Sequence, residues 1–400
     1  MPTTRIEVNI PGETPYNVRV GEALLHNTGA DCRKAGATAE SPKAVVVTDS
    51  NVAPLYLTSV KDSLVQAGYE TFDIAVEAGE NAKSTDVIAE LWNAFALLGI
   101  TRDCFVVALG GGVVGDLAGF AAATFMRGLP VVQVPTTLLS MVDSSVGGKT
   151  GINLSAGKNM VGAFKQPSLV VASLDTLSTL PEREWACGCG EVAKSAVIDS
   201  DDFFFWLMDN ARELRNRATP AIEEVVKRCV VFKAGVVAAD KTESKGVREC
   251  LNYGHTLAHA IESLAGYGTF SHGAAVAEGM RFAAYLGERV VGTSREFADA
   301  QAQLLDELGL PSLDWVTAAN DVLAAQAMRA GSGIEVGRAA EGGDIFPTLT
   351  AADVIACMKR DKKVRGGQLR FVLVRDVADW QLVNVADDAV AQALKEFYQL

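Results

Sequence analysis

The stretch that most constrains the fold runs from residue 104 to 167. It opens on five apolar residues, Phe105-Val106-Val107-Ala108-Leu109, and turns at Gly110-Gly111-Gly112. Val113-Val114-Gly115-Asp116-Leu117-Ala118-Gly119-Phe120 follows, and a second apolar run, Val131-Val132-Gln133-Val134, ends in Pro135-Thr136-Thr137. A short apolar run bounded by a turn reads as a strand buried on both faces, as in parallel sheets covered by helices. Residues 110–115 fit G-x-G-x-x-G in the strand–turn–helix setting that the pattern needs. Glycines there let a backbone approach a pyrophosphate at a helix N-terminus, or let the helix pack tightly on the sheet. The acid expected about 20 residues further on is missing, because the second strand ends in Val134-Pro135-Thr136-Thr137. Asp49, which ends an earlier strand, is the better candidate for a ribose contact.

The preceding chain repeats the alternation. Residues 5–20 read as a strand pair broken at Pro11-Gly12, 44–48 and 72–76 as strands, and 60–67 and 86–98 as helices. Strands alternating with helices at this spacing imply a parallel α/β sheet, whose ligands sit at the carboxyl ends of the strands. Asp49, Glu80, Lys83, the three glycines and Thr136-Thr137 occupy such ends. Near Leu180-Pro181 the alternation stops. Helices are expected at 181–198, 202–215, 221–240, 254–264, 274–291, 294–308 and 352–359, then a hairpin at 369–374 and 380–385 and a last helix at 388–398. The fold class is therefore α/β, with a Rossmann-like parallel α/β domain over 1–177 and a mainly α-helical domain over 178–400. A polar, glycine-rich loop is expected at 331–347.

Composition narrows the function classes. Four hundred residues exceed one ordinary core, and the net charge of −13 argues against a nucleic-acid partner. No apolar run reaches the roughly 18 residues of a membrane span, and the first residues lack the apolar core of a signal peptide. Seven scattered cysteines fit reduced thiols in a cytoplasm rather than a disulfide framework. Cys187-Gly188-Cys189 has no second cysteine pair nearby to complete a metal site. Basic residues are locally dense, as in Lys359-Arg360-Asp361-Lys362-Lys363-Val364-Arg365. On an acidic chain this suggests a small anionic ligand, or a solvated helix end.

Three of the four histidines, His255, His259 and His272, fall within eighteen residues of one another. His255 and His259 share a helical face, but Thr256 follows His255, so the general base of an H-E-x-x-H protease is absent. Glu191 and Lys194 share another face. Two histidines and a glutamate form a familiar zinc set; a core or surface position is the other explanation for each histidine. Asp143, Lys149, Lys158 and Asn159 lie in a glycine-rich segment, either as anion-holding point charges or as a solvated turn. Arg248 and Asn252, one turn apart, extend the polar face before His255.

With these residues in view the sequence resembles the 3-dehydroquinate synthase family of the sugar phosphate cyclases. The resemblance rests on Gly110 through Asp116, Val134-Pro135-Thr136-Thr137-Leu138-Leu139, Asp143 through Thr150, and Gly157-Lys158-Asn159-Met160-Val161-Gly162. It continues through Glu191-Val192-Ala193-Lys194, Asn252-Tyr253-Gly254-His255-Thr256, His259-Ala260-Ile261-Glu262 and Asp361-Lys362-Lys363. The resemblance implies NAD, a divalent metal (zinc or cobalt), a homodimer and a sugar-acid phosphate substrate. It implies that Glu191, His255 and His272 are metal ligands. Asp143, Lys149, Asn159, Lys194, Lys233, Arg248, Asn252, His259 and Lys362 would be substrate-site groups, with Arg127 reaching the phosphate from a second subunit. The NAD shell would be Asp49, Asn51, Glu80, Lys83, Gly111, Gly112, Val113, Asp116, Thr136, Thr137, Lys149, Lys158, Thr179, Leu180 and Glu184. The chain departs from the family pattern at Cys187-Gly188-Cys189-Gly190, at Gly235, and by one extra residue between Lys233 and Arg248.

The implied reaction converts 3-deoxy-D-arabino-heptulosonate 7-phosphate to 3-dehydroquinate and phosphate, on the route to chorismate and the aromatic amino acids. A ring hydroxyl is oxidised, the neighbouring C–H becomes acidic and phosphate leaves by β-elimination. Reduction, ring opening and an intramolecular aldol closure follow. The competing readings are a cyclase acting on sedoheptulose 7-phosphate or glucose 6-phosphate, a metal-dependent polyol dehydrogenase, and a non-catalytic NAD sensor. A sensor would be expected to have lost some of Glu191, Lys194, His255, His259 or His272, and the sequence keeps all five.

Overall fold

The computed structural model describes residues 3–331, 348–360 and 368–400. Residues 332–347, where most of the glycine-rich loop was expected, and 361–367, which include Lys362, lie outside the described residues.

In chain order the strands are β1 (Thr4–Val8), β2 (Tyr16–Gly21), β3 (Lys43–Asp49), β4 (Glu70–Val76), β5 (Phe105–Gly110), β6 (Val131–Pro135), β7 (Lys149–Leu154), β8 (Gly157–Phe164), β9 (Leu169–Ser173), β10 (Leu369–Val374) and β11 (Trp380–Val385). The helices are α1 (Thr28–Lys34), α2 (Thr58–Gln66), α3 (Thr85–Leu97), α4 (Gly112–Thr124), α5 (Glu182–Asp199), α6 (Asp201–Arg215), α7 (Thr219–Ala239), α8 (His255–Leu264), α9 (His272–Val290), α10 (Arg295–Glu307), α11 (Trp315–Gly331), α12 (Ala351–Lys359) and α13 (Asp387–Tyr398).

Two compact units share the chain: Met1–Gly188 with Asn216–Arg248, and Cys189–Arg215 with Glu249–Leu400. A single cut at residue 177 does not describe this division. Helix α7 belongs to the first unit because its apolar stripe, including Ile222, Val226 and Val230, is buried where it meets β1 and β2. Lys233 and Arg248 therefore belong to the first unit too, not to the helical one.

The first unit carries a seven-stranded sheet in the order β1-β2-β9-β6-β5-β3-β4, parallel except at β1. Alternate residues of β3 and β5 feed opposite faces. Val45, Val47, Val106 and Ala108 join Ile88, Leu91 and Phe95 of α3 and Leu117 and Ala121 of α4. Ala44, Val46, Phe105 and Val107 join Cys32 of α1 and Val60 and Leu64 of α2. Covering both faces is why these strands read as unbroken apolar runs. The chain runs outward from β3 to β4, then returns to place β5 on the other side of β3 and continues to β6. The strand order thus reverses between β3 and β5, and ligands of open α/β sheets bind at such a reversal.

Strands β7 and β8, in the segment read as a glycine-rich turn or loop, form an antiparallel hairpin. Three glycines across its two strands lower β propensity, which hid it. Helices α1 and α11 and strand β9 also lay outside the sequence reading.

In the second unit α9 is the central helix, buried around most of its circumference and packed against α8, α10, α13 and β10. It starts at His272, two residues before the sequence-derived start, because Ser271 caps it by accepting the Ala274 N–H at 3.3 Å. Helix α8 meets α9 backbone to backbone. Gly254 opens α8 at φ +77°, and a Cβ on Gly279 would stand 1.9 Å from the Gly254 carbonyl oxygen. Backbone cannot yield as a side-chain tip can, so Gly279→Ala forces the two helices apart. We expect this substitution to lower stability by about 1–3 kcal/mol, measured by denaturant unfolding; an unchanged midpoint would contradict the packing described.

Candidate active site

Several of the residues read as an NAD shell stand at or just after the carboxyl ends of β3, β4, β5 and β6, on either side of the strand reversal. Asp49 ends β3, and its Oδ1 accepts the Asn51 and Val52 N–H groups at 2.9 and 3.0 Å, which shapes the loop leaving the strand. Gly111 precedes α4, and Gly112 and Val113 form its first turn, so unpaired N–H groups face outward from the end of β5. Gly115 has a different role: a Cβ there would lie 2.9 Å from Gln133 Oε1 of β6. The glycine pattern thus serves both close packing and an open helix N-terminus. Thr136 N donates to the Gly110 carbonyl at 3.0 Å, and Thr137 bonds Ser140 by side chain and backbone. Thr179 is exposed and its hydroxyl meets Tyr56 OH at 2.6 Å; Leu180 is buried and Glu184 is exposed.

A charged hub lies beside this turn. Buried Lys83 donates to Asp116 Oδ2 at 2.7 Å and to Asn159 Oδ1, and stands 3.5 Å from Glu80. Asn153 donates to Glu80 at 2.8 Å and accepts from the Asn159 N–H at 2.8 Å, which fixes Asn159 at φ +52°. Burial pushes the Asp116 carboxyl up, and Lys83 opposes that shift. Lys158 is exposed on β8.

Three further cations of the first unit are paired. Lys149 bonds Glu243. Lys233, 7% exposed, bonds Asp143 Oδ1 at 2.8 Å and its carbonyl at 2.7 Å. Arg248, 2% exposed, donates to the Lys241 and Gly147 carbonyls at 3.1 and 3.3 Å, and its Nε stands 3.5 Å from Glu243. Burial lowers the Arg248 pKa against the pull of Glu243, Asp143 and Asp240. Sequence reasoning missed Glu243. It sits at φ +56° in the segment between α7 and Arg248, and nothing in its spacing marked it. Arg127 is exposed at φ +68°, directly after Met126 at φ +49°. Consecutive left-handed non-glycine residues are costly, so the surrounding structure must hold this turn.

The second unit brings together the residues read as metal ligands. Glu191 comes from α5, His255 opens α8 and His272 opens α9. Among the described residues they form a cluster whose ligand atoms lie within 4.8 Å of one another. Glu191 Oε1 is 3.5 Å from His255 Nε2 and 3.4 Å from His272 Nε2. Gly190 permits the approach of α5, since a Cβ there would stand 2.4 Å from the Gly273 carbonyl oxygen. Each ring is held at its other nitrogen. His255 Nδ1 meets the Tyr253 carbonyl at 3.1 Å; a carbonyl only accepts, so Nδ1 carries the proton and Nε2 presents a lone pair. His272 Nδ1 meets Glu262 Oε2 at 3.3 Å. A carboxylate, two imidazoles and an acceptor behind each imidazole fit the three-donor set of a catalytic divalent-ion site. The cysteines of the 187–190 motif are buried and outside this cluster.

Lys194, one turn after Glu191, bonds it and is 2% exposed. Burial disfavours the Glu191 charge, but Lys194 and the two histidines outweigh it and hold the carboxyl well below its usual range. Burial drives His255 down to about 3. Burial also opposes charge on His272, but hydrogen bonds to Glu191 and Glu262 overcome it and raise that ring to about 9. A divalent ion held there would have to displace a proton from His272. The His259 ring centroid lies 5.5 Å from that of His255 and 6.2 Å from that of His272, and Asn252 is half-buried just before α8. Sequence reasoning named Glu262 only within a motif. Its position seven residues after His255 puts it on the same helix face, which was the available signal.

The Lys83 hub gives a direct test of the first unit. Lys83→Met leaves Asp116 without its cation, and we expect a stability loss of about 3 kcal/mol at neutral pH. Protonating Asp116 removes the unpaired charge, so the loss shrinks as pH falls. Thermal unfolding at two pH values checks both; a pH-independent loss would contradict the pairing.

Comparison with known proteins places this arrangement. Residues 73–187 match the family described as 3-dehydroquinate synthase N-terminal, and 188–330 match 3-dehydroquinate synthase C-terminal. A 3-dehydroquinate synthase of Acidithiobacillus ferrooxidans is 40% identical over 389 residues, 97% of either chain. That of Geobacter metallireducens is 42% identical over 376 residues, 94% of either chain. Among solved structures, 2-epi-5-epi-valiolone synthase of Streptomyces hygroscopicus, with NAD+ and Zn2+ bound, superposes with TM-score 0.79 at 26% identity, covering 98% of this chain and 99% of that one. Glycerol dehydrogenase of Schizosaccharomyces pombe shares the fold at TM-score 0.59 and 16% identity, covering 94% and 87%. The sequence relatives span nearly the whole chain at 40% identity or more, and the chain belongs to the 3-dehydroquinate synthase family.

Proposed function

We propose that this protein is a carbon–oxygen lyase converting 3-deoxy-D-arabino-heptulosonate 7-phosphate to 3-dehydroquinate and phosphate, with no net oxidation. The observation that carries the reading is the triad of Glu191, His255 and His272, each imidazole backed by its own acceptor, in a chain of this family. These three residues would hold Zn2+ or Co2+. Asp49, Asn51, Glu80, Lys83, Gly111, Gly112, Val113, Asp116, Thr136, Thr137, Lys149, Lys158, Thr179, Leu180 and Glu184 would hold NAD. When bound, NAD supplies a hydride acceptor that is restored each turnover, and the ion supplies a Lewis acid.

The chain's own residues do the rest. Arg248 grips an anion through a planar fork, while Lys149, Lys194 and Lys233 act as point charges. Asp143, through its bond to Lys233, fixes one of those charges. Asn159, Asn252 and His259 would orient substrate hydroxyls. Lys362 would add a cation, and Arg127 would reach the phosphate from a second copy of the chain in a homodimer. Such fixation converts the elimination and the aldol closure into effectively unimolecular steps. No described helix is long and apolar enough to cross a membrane, and a cytoplasmic location is part of the same proposal.

The test is phosphate release from the keto-acid phosphate with NAD present in catalytic amount. We expect turnover without accumulation of NADH, and at least about a thousandfold lower kcat/KM for sedoheptulose 7-phosphate, which lacks the carboxylate and so forgoes the charge-assisted contacts that the keto acid would make with Arg248 and the lysines. NADH formed in step with product would instead indicate a dehydrogenase. Comparable kcat/KM values would assign the chain to the sedoheptulose cyclases.

A further inference from the structure

A buried chain of polar contacts runs from α10 to the imidazole of His255. Tyr253 is fully buried; its phenol donates to Gln301 Oε1 at 2.7 Å, and the Met280 carbonyl is a longer second acceptor at 3.5 Å. Gln301, on α10 and 1% exposed, donates through Nε2 to the Met280 carbonyl of α9 at 3.1 Å. The amide is therefore oriented: its nitrogen is spent on α9 and its oxygen faces the phenol. At the backbone end of the same tyrosine, the carbonyl accepts the His255 Nδ1 proton at 3.1 Å.

The link between tyrosine and histidine is a single glycine at φ +77°. Gly254 has no side chain with which to fix the peptide plane that carries the Tyr253 carbonyl. Its α-carbon is pressed toward α9, where a Cβ would meet the Val276 carbonyl oxygen at 2.6 Å, so one side of that plane is defined by contact. The other side is defined by where the Tyr253 ring is held. If the ring shifts, the carbonyl turns with it, His255 Nδ1 loses its acceptor, and Nε2 is no longer aimed at Glu191.

We propose that Gln301 is a positioning residue for the divalent-ion centre, acting through the Tyr253 phenol and carbonyl on His255. This rests on Glu191, His255 and His272 being the ligand set. The simpler alternative is that Gln301 only satisfies a buried phenol. The two differ in one consequence. Replacing both partners by apolar groups of similar shape removes the cost of an unpaired buried polar group, but it does not restore the anchor.

The experiment measures Zn2+ affinity of the full-length protein by competition with a chromophoric chelator, alongside the melting temperature of the metal-free form. Four proteins are compared: wild type, His272→Ala, Gln301→Leu, and the double variant Tyr253→Phe with Gln301→Leu. We expect Gln301→Leu to melt lower and to bind Zn2+ about tenfold more weakly, at the lower end of the range for outer-shell changes. The double variant recovers most of the melting temperature and keeps the weaker binding. Wild-type affinity in either variant, with affinity lost in His272→Ala, overturns the positioning role alone. Affinity unchanged by His272→Ala overturns the ligand set and the proposal with it.

Discussion

Glu191 is a carboxylate with 2% exposure, and the second unit is arranged around keeping it ionised. An isolated carboxylate at that depth would take up a proton. Lys194 on the same helix and the imidazoles of His255 and His272 prevent this. Each must come from a different turn of chain, and the close backbone approaches at Gly190 and between Gly254 and Gly279 bring α5, α8 and α9 near enough to deliver them. The capping of α9 by Ser271 then sets where His272 enters. Substitutions at these glycines act on the charge cluster through packing.

In the first unit the governing constraint is the strand order. Because β3 and β5 are neighbours while β4 lies outside β3, Asp49 and the glycine turn at 110–112 end adjacent parallel strands. Asp49, the candidate for the acid that a simple dinucleotide fingerprint places one strand later, thus stands one neighbour over on the other side of β5. Lys83, Asp116 and Asn159 tie the loop after β4, helix α4 and the β7–β8 hairpin into one polar hub beside that turn.

Much of this was legible in the sequence. The parallel strands were legible because burial on both faces leaves an unbroken apolar run such as Phe105 to Leu109. Three histidines within eighteen residues, and Glu191 one turn before Lys194, pointed to the cluster that forms. What escaped had physical reasons. The β7–β8 hairpin is glycine-rich, so propensity spoke against it. Helix α7 has a helical pattern, but pattern does not say which unit an apolar stripe will cover. Glu243 meets Lys149 and Arg248 only through a turn at positive φ. Gln301 reads as an ordinary polar residue of an amphipathic helix, and only tertiary contact shows that it holds Tyr253.

The central claim is that Glu191, His255 and His272 hold one divalent ion. The most direct measurement is anomalous diffraction at the zinc edge from crystals grown with Zn2+. The account predicts one peak per chain, about 2.0–2.2 Å from a Glu191 oxygen and from both Nε2 atoms. A zinc peak coordinated elsewhere, with none at these three residues, would contradict it.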